Sequence, residues 1–199
     1  GIQSSIERTT LLRANENRDW RIYEDFALVL IEEARKLCSE EEIEGLELDV
    51  PVYALDSSTI DLCLSVFPWA KFRKEKAAVK LHTLIDIRGN IPTFIHISDG
   101  KLHDVNVLDV LLLEAGAFYL IDRGYIDYKR LYQIHTAQAF FITQVKQNMA
   151  WKRRYSHPVT AAQKKLGIRC DQIIYFTGHY AKKNYPTTLR RIKYYSKDQ

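Results

Sequence analysis

The sequence of 199 residues predicts a mixed α/β fold, an open sheet with helices packed on it. Three observations predict it. The period of the apolar residues changes from helical to strand-like near Pro51, two strand candidates flank a short glycine-containing turn, and the apolar segments beyond them alternate with helix-like ones. A hydrophobic content of 46% suffices for one core of roughly 100–150 residues with appendages, and it excludes a disordered or low-complexity chain.

The elements follow in order. Residues 19–37 set Tyr23, Phe26, Ala27, Leu30, Ala34 and Leu37 on one stripe of an amphipathic helix, with Asn17 or Asp19 available as its N-cap. Residues 4–16 have weaker helical character, and the acidic stretch 39–49 reads as a solvated connection. Val52 to Leu55 is a short strand that ends on Asp56. Ala77 to Ile87 and Ile91 to Ser98 are two more strands, joined at Arg88-Gly89-Asn90, so three antiparallel strands are expected. Asp104 reads as the cap of a helix through residues 105–115, and Ala117 to Ile121 as a buried strand closing on Asp122 and Gly124. A helix capped at Asp127 follows, and a last strand covers Ala139 to Val145. Strand, strand, strand, helix, strand, helix, strand is the arrangement of the ribonuclease H-like fold. Strand-like pieces at 171–180 and 189–195, among basic turns, break the alternation and read as an inserted or appended β-rich region. The expected organisation is a helical lead-in at 1–49, a core at 50–149 and an incomplete basic β-rich insertion at 150–199.

The formal net charge of +4 hides a gradient. Residues 1–50 carry 6 basic and 13 acidic side chains, residues 51–149 carry 11 and 10, and residues 150–199 carry 12 and 2. So basic a C-terminal quarter suits a phosphate backbone, and a solvated Lys/Arg-rich surface is the alternative. No apolar run approaches the ~18 residues of a membrane span. The three cysteines, Cys38, Cys63 and Cys170, form no CxxC pair, and a soluble, reducing, cytoplasmic setting is expected. The chain starts at Gly1 and stops after Tyr-Ser-Lys-Asp-Gln, and it reads as an excised or truncated piece.

Asp56 and Asp122 stand out because each follows an apolar strand, where a carboxylate is costly unless paired, hydrogen-bonded or bound to metal. In the expected sheet order their strands lie side by side, and both carboxylates converge at one end of the sheet. Such a pair suits Mg²⁺, which takes oxygen ligands and is held by one or two carboxylates plus substrate phosphate oxygens. Two ions about 3.5–4 Å apart serve phosphodiester chemistry. The alternative has Asp56 capping a turn with Ser57 and Ser58, and Asp122 pairing with Arg123. His103-Asp104 reads as a turn and a cap, His82 and His96 as sheet-face histidines that meet across a hairpin, and Cys63 as a packed thiol. Lys71, Arg73, Lys74, Lys76 and Lys80, after Phe67-Pro68-Trp69, and Trp151, Lys152, Arg153, Arg154 and Tyr155 are basic, aromatic-flanked runs suited to DNA backbone contacts. Arg123 is placed to touch a phosphate or to neutralise the carboxylates.

The segments YALDSSTIDLCLSVFPWAKFR, KLHTLIDIRGNIPTFIHISDGKLHDVNVLD and AFYLIDRGYIDYKRLY closely resemble the transposases of bacterial insertion sequences, in the insertion-sequence-four group. The likeness extends from residues 15–21 through Tyr-Ser-His-Pro at 155–158 to Leu-Arg-Arg-Ile at 189–192. It implies a ribonuclease H-like core with a β-insertion that helps hold transposon-end DNA. It also implies that Asp56 and Asp122 are catalytic metal ligands of an acidic triad with two Mg²⁺ ions, for which Mn²⁺ substitutes. The implied reaction is phosphodiester hydrolysis at the element's end, then attack of the freed 3′-hydroxyl on target DNA by two synapsed protomers. The triad's glutamate lies in a Tyr-x₂-Arg-x₃-Glu-x₆-Lys pattern in that group, and no glutamate follows Glu114 here. This chain alone is therefore expected to be inactive, and a catalytically silent DNA-binding remnant is the alternative reading.

Overall fold

The structure, a computed structural model, describes residues 7–38, 50–62, 71–73, 76–101 and 103–196. The chain divides into two compact units, Gly1–Lys101 and Leu102–Gln199.

The first unit holds helices α1 (Arg8–Asn17) and α2 (Arg21–Cys38) and strands β1 (Val52–Leu62), β2 (Lys71–Arg73), β3 (Lys76–Asp86) and β4 (Ile91–Asp99). β3 is central. It runs antiparallel to β1, from Tyr53 opposite Asp86 to Leu62 opposite Ala77, and antiparallel to β4, where His82 faces His96. The expected hairpin forms because the Asp86 carboxylate accepts the Arg88 backbone N–H at 3.0 Å and pairs with its guanidinium at 3.1 Å. Asn90 completes the turn in the left-handed region at φ 54°. β1 runs six residues beyond Asp56, since Ser57 through Leu62 all find partners on β3. Asp56 therefore lies within a long strand, at the point where its buried half ends, and not at the strand's terminus.

Helix α2 forms where expected, and Asp19 caps it by accepting the Arg21 N–H at 3.0 Å. Asn17 is instead the last residue of α1. The helix packs on β4, with Ala27, Ile31 and Ala34 half-buried. The expected stripe is corrected: Tyr23, Phe26, Leu30 and Leu37 are 51%, 60%, 53% and 86% exposed. The small Ala27 and Ala34 let the seam turn toward Ile31 and leave the larger side chains beside it. The acidic connection expected at 39–49 and Cys63 lie outside the described residues.

The second unit holds β5 (Phe118–Ile121), α3 (Tyr128–Thr136), β6 (Phe140–Ile142), β7 (Trp151–His157), α4 (Ala161–Lys165), β8 (Ile168–Phe176), α5 (His179–Asn184) and β9 (Leu189–Tyr194). β5 and β6 are parallel, with Phe118 opposite Phe140, and α3 connects them. The expected cap holds: Asp127 accepts the Arg130 N–H at 3.0 Å. The helix expected at 105–115 is only a 3₁₀ segment, Asp104–Asp109, whose N-cap is His103 and not Asp104. Val105, Val107 and Val110 crowd a helical turn. Arg130 holds the segment from outside, donating to Asp109 Oδ1 at 2.9 Å and to Asn106 Oδ1 at 3.0 Å. Beyond it, the Glu114 N–H donates to the Tyr119 hydroxyl at 2.9 Å, which satisfies a backbone group that no helix serves.

Strands β7, β8 and β9 form a separate antiparallel sheet, so the basic region is β-rich as expected. β7, α4 and α5 are additions to the expected pieces. Tyr185, 2% exposed, ties this sheet to the rest of the unit. Its ring lies 5.5 Å from Tyr132 and 5.9 Å from His135 on α3, 6.1 Å from Phe141 on β6 and 5.7 Å from Phe176 on β8. Within the sheet, Asp171 accepts from Arg190 at 3.0 and 2.7 Å. No helix among the described residues is long and apolar enough to cross a membrane.

Replacing Tyr185 by Ala is expected to cost about 3–5 kcal/mol, as for other buried aromatic truncations, and replacing it by Phe under ~1.5 kcal/mol, read from urea unfolding midpoints. Burial pushes the Tyr185 hydroxyl up to about 12. The unfolded tyrosine ionises near pH ~10, so stability is expected to fall as pH rises from there toward 12, with a shallower fall in Tyr185→Phe. At the acid end, the hydrogen bonds from Arg190 hold the Asp171 carboxyl below its usual range. Its contribution is complete above pH ~4 and is lost as pH falls through the lower folded-state value. Thermal midpoints of Asp171→Asn are expected to fall less steeply with acid than those of the unaltered chain.

Candidate metal centre and nucleic-acid surface

Strand β5 is apolar and enclosed, with Tyr119 1% and Ile121 5% exposed, and the residue after it emerges into solvent. That residue is Asp122. Its Oδ1 accepts the Gly124 N–H at 2.8 Å and caps a 3₁₀ turn, Arg123–Tyr125, which the buried Tyr125 anchors. A Cβ at residue 124 would lie 3.3 Å from that Oδ1, so glycine gives the carboxylate its close seat over the turn. The partner is the Gly124 N–H and not the Arg123 guanidinium of the alternative reading. Oδ2 is left without a protein donor among the described residues.

Asp56 is built in a parallel way. Val52, Tyr53 and Leu55 are buried, Asp56 is exposed, and its Oδ1 accepts the Ser57 N–H at 2.8 Å. It does so in extended backbone opposite Thr83, so the turn with Ser57 and Ser58 does not form. Asp56 belongs to the first unit and Asp122 to the second, and the two settings share one design. In each, a buried apolar run is followed by an exposed carboxylate, one oxygen of which accepts a nearby backbone N–H. These are hard oxygen donors of the kind Mg²⁺ and Mn²⁺ take, so the residues fit such an ion. No group of three His, Cys, Asp or Glu side chains that could hold a metal occurs among the described residues.

His82 and His96 do meet across the hairpin, with ring centroids 6.0 Å apart. His82 is fully buried, with Nε2 3.1 Å from the Ser98 hydroxyl, which is the setting of a sheet-face histidine. His103 has no side-chain capping bond.

Of the expected DNA contacts, Lys71 and Arg73 lie on β2 and Lys76 begins β3; Lys74 and Phe67-Pro68-Trp69 lie outside the described residues. Arg123 is exposed beside Asp122. Trp151 is half-buried at the start of β7, with the Arg191 guanidinium 4.5 Å over its ring. One ring face is thereby occupied, which removes it as a stacking surface. Lys152, Arg153 and Arg154 are exposed, and a break in register between Arg153 and Tyr155 leaves Arg154 without a β8 partner. Sequence reasoning placed the basic charge in residues 150–199 but missed which cations are engaged within the sheet. Arg190 is held by Asp171, and Arg191 donates to Gln172 Oε1 at 2.9 Å. The cross-strand register that sets these pairs has no signature in local composition.

Comparison with known proteins brings the two units under one description. The chain is 33% identical over 98 residues to y4zB, a protein of Sinorhizobium fredii named as a transposase, a stretch that is 49% of this chain and 27% of that protein. It is 26% identical over 119 residues to a protein of Geobacillus stearothermophilus named as a transposase for insertion sequence element IS5377, covering 60% of this chain and 31% of the relative. The chain thus spans about a third or less of the length of these curated relatives. No solved structure matches it. The mixed α/β architecture is that expected of a ribonuclease H-like core. Residues 48–198, from before β1 to beyond β9, match the family described as the transposase DDE domain, and the chain belongs to that family.

Proposed function

We propose that this chain is the part of an insertion-sequence DNA transposase that carries the first two acids of its metal site and a basic surface for DNA. One observation carries the reading: within the stretch matching the transposase DDE domain, Asp56 and Asp122 each follow a buried apolar run, exposed, with one carboxylate oxygen held by a backbone N–H. The three-part organisation, lead-in 1–49, core 50–149 and basic insertion 150–199, goes with it.

In this reading Asp56 and Asp122 hold the divalent cations. Bound there, Mg²⁺ or Mn²⁺ supplies Lewis-acid activation of a scissile phosphodiester and of the attacking water. The chain's own residues do the rest. The backbone N–H groups of Ser57 and Gly124 keep each carboxylate in a set orientation, so less order has to be imposed when a ligand arrives. Arg123 offsets phosphate charge beside Asp122, while Lys152, Arg153 and Arg154 anchor the duplex backbone along β7. Hydrolysis at an element's end frees a 3′-hydroxyl, which then displaces the target strand in line. Two copies bring two ends together, in the cytoplasm where the DNA lies.

No glutamate follows Glu114 in these residues, so the chain by itself binds metal and DNA without completing catalysis.

Calorimetric titration with Mn²⁺ is expected to show binding that Asp56→Asn and Asp122→Asn each weaken by roughly tenfold or more, with unchanged thermal midpoints. Both asparagines can still accept the neighbouring N–H, which is why the fold is spared. Unchanged titration by both variants would overturn the site. Incubation of the isolated chain with Mn²⁺ and supercoiled DNA is expected to leave the DNA intact; metal-dependent nicking that Asp122→Asn abolishes would contradict the silent form.

A further inference from the structure

The basic sheet carries a second cationic site on a different part of its surface from Lys152, Arg153 and Arg154. A cavity of about 330 Å³ opens where α4 passes into β8, and it is lined by Lys164, Lys165, Arg169, Tyr194 and Tyr195 around Gly167. That volume lies at the small end of the ~300–1,000 Å³ range of ligand sites.

Its construction is specific. Gly167 turns the chain at φ +98°, and a Cβ there would stand 2.3 Å from the Tyr195 carbonyl oxygen and 2.9 Å from the Tyr194 ring. Only glycine allows the approach in which the Tyr195 N–H donates to the Gly167 carbonyl at 2.9 Å, closing the end of β9 against the end of α4. The capping box of Thr160 and Gln163 fixes the other end of that short helix. Cations and rings from three separate elements are thus brought to one place. The Arg169 guanidinium lies 5.4 Å from the Tyr195 ring centroid. No carboxylate lines the cavity among the described residues, and the nearby sheet acid, Asp171, is committed to Arg190.

Lys164 and Lys165 sit in the last turn of α4, where the exposed carbonyls favour cations, and that alone could account for the two lysines. It does not account for Arg169, nor for Tyr194 and Tyr195 being 63% and 54% exposed beside them. Solvent-facing aromatic rings interleaved with cations match a polyanion with flat apolar faces, which is what an unpaired nucleic-acid strand presents.

We propose that this cavity binds a single-stranded stretch of DNA, its phosphates on Lys164, Lys165 and Arg169 and a base stacked on the face of Tyr195 opposite Arg169. The inference rests on the DNA reading above for the identity of the polymer. It adds a preference for unpaired strand that the exposed cations of β7 do not provide.

The test is fluorescence anisotropy of the full chain with a labelled oligothymidine and with a duplex of equal length, across a salt series. Lys164→Ala combined with Arg169→Ala is expected to reduce the single-strand salt slope by about 1.4, at ~0.7 for each lost phosphate contact. Tyr195→Ala is expected to weaken oligothymidine binding by roughly five- to a hundred-fold, with little effect on the duplex, and Tyr195→Phe to restore it. If Tyr195→Ala lowers the thermal midpoint, the exposed Lys164→Glu carries the same test. Unaltered single-strand binding in these variants, or equal losses on single strand and duplex, overturns the proposal. DNA binding lost only in Lys152→Ala with Arg153→Ala overturns this site and leaves the DNA reading standing. An unaltered chain that binds neither DNA at low salt overturns both.

Discussion

The second unit depends on the burial of one ring. Tyr185 sits where α5 ends, and its edges and faces meet aromatic side chains from α3, β6 and β8. Tyr128 on α3 reinforces the same junction, with its ring 4.8 Å from Phe176 and 6.1 Å from Tyr180. Aromatic pairs in edge-on geometry add about 0.5–1.5 kcal/mol each beyond the area they bury, so one residue with four such neighbours is a strong fixing point. The hydroxyl costs something in such a place, which is the reason its ionisation is pushed up to about 12. α3 also follows directly from the turn that seats Asp122, so the same packing that positions the sheet supports the helix next to a candidate metal ligand.

The two aspartates illustrate how a sheet presents charge. A carboxylate inside the apolar run of β1 or β5 would lose its hydration with nothing in return. One residue beyond the buried run it is exposed, and one oxygen takes a backbone N–H. That arrangement stabilises the carboxylate's orientation and keeps a donor atom available to a cation. The acids therefore need no ion pair of their own to be tolerated, in contrast to Asp171 and Asp109, which are held by arginines and are thereby occupied.

Much of the fold was legible because it follows from local rules. The hairpin at Arg88-Gly89-Asn90, the Asp127 cap, the apolar β5 and the helical periodicity of α2 are written into neighbouring residues. The failures occurred where tertiary packing chose between local options. Residues 105–115 have a helical pattern, yet valines and the outside hold of Arg130 on Asp109 and Asn106 favoured a 3₁₀ turn and an irregular run. On α2 the apolar residues cover more than one face, and the small Ala27 and Ala34, not the largest side chains, decided which face approaches β4. β1 outran its apolar run because pairing with β3 sustains the polar half. At the candidate site, the strand-end positions left Asp56 and Asp122 open between a metal site and local caps, and the family resemblance singled them out; the backbone N–H that fixes one oxygen of each is seen only in the fold. The commitments of Trp151 to Arg191 and of Asp171 to Arg190, and the cavity at Gly167, depend on strand register and on contacts between residues far apart in sequence.

The central proposal is that Asp56 and Asp122 are the carboxylates through which this chain takes a divalent cation. The most direct test is to load the chain with Fe²⁺ in place of Mg²⁺ and generate hydroxyl radicals with ascorbate and peroxide, then map the backbone cuts by mass spectrometry. The account predicts cuts beside residue 56 and beside residue 122, suppressed by excess Mg²⁺ and diminished beside residue 56 in Asp56→Asn and beside residue 122 in Asp122→Asn. Cuts beside neither residue, or a pattern indifferent to Mg²⁺ and to both substitutions, would contradict it.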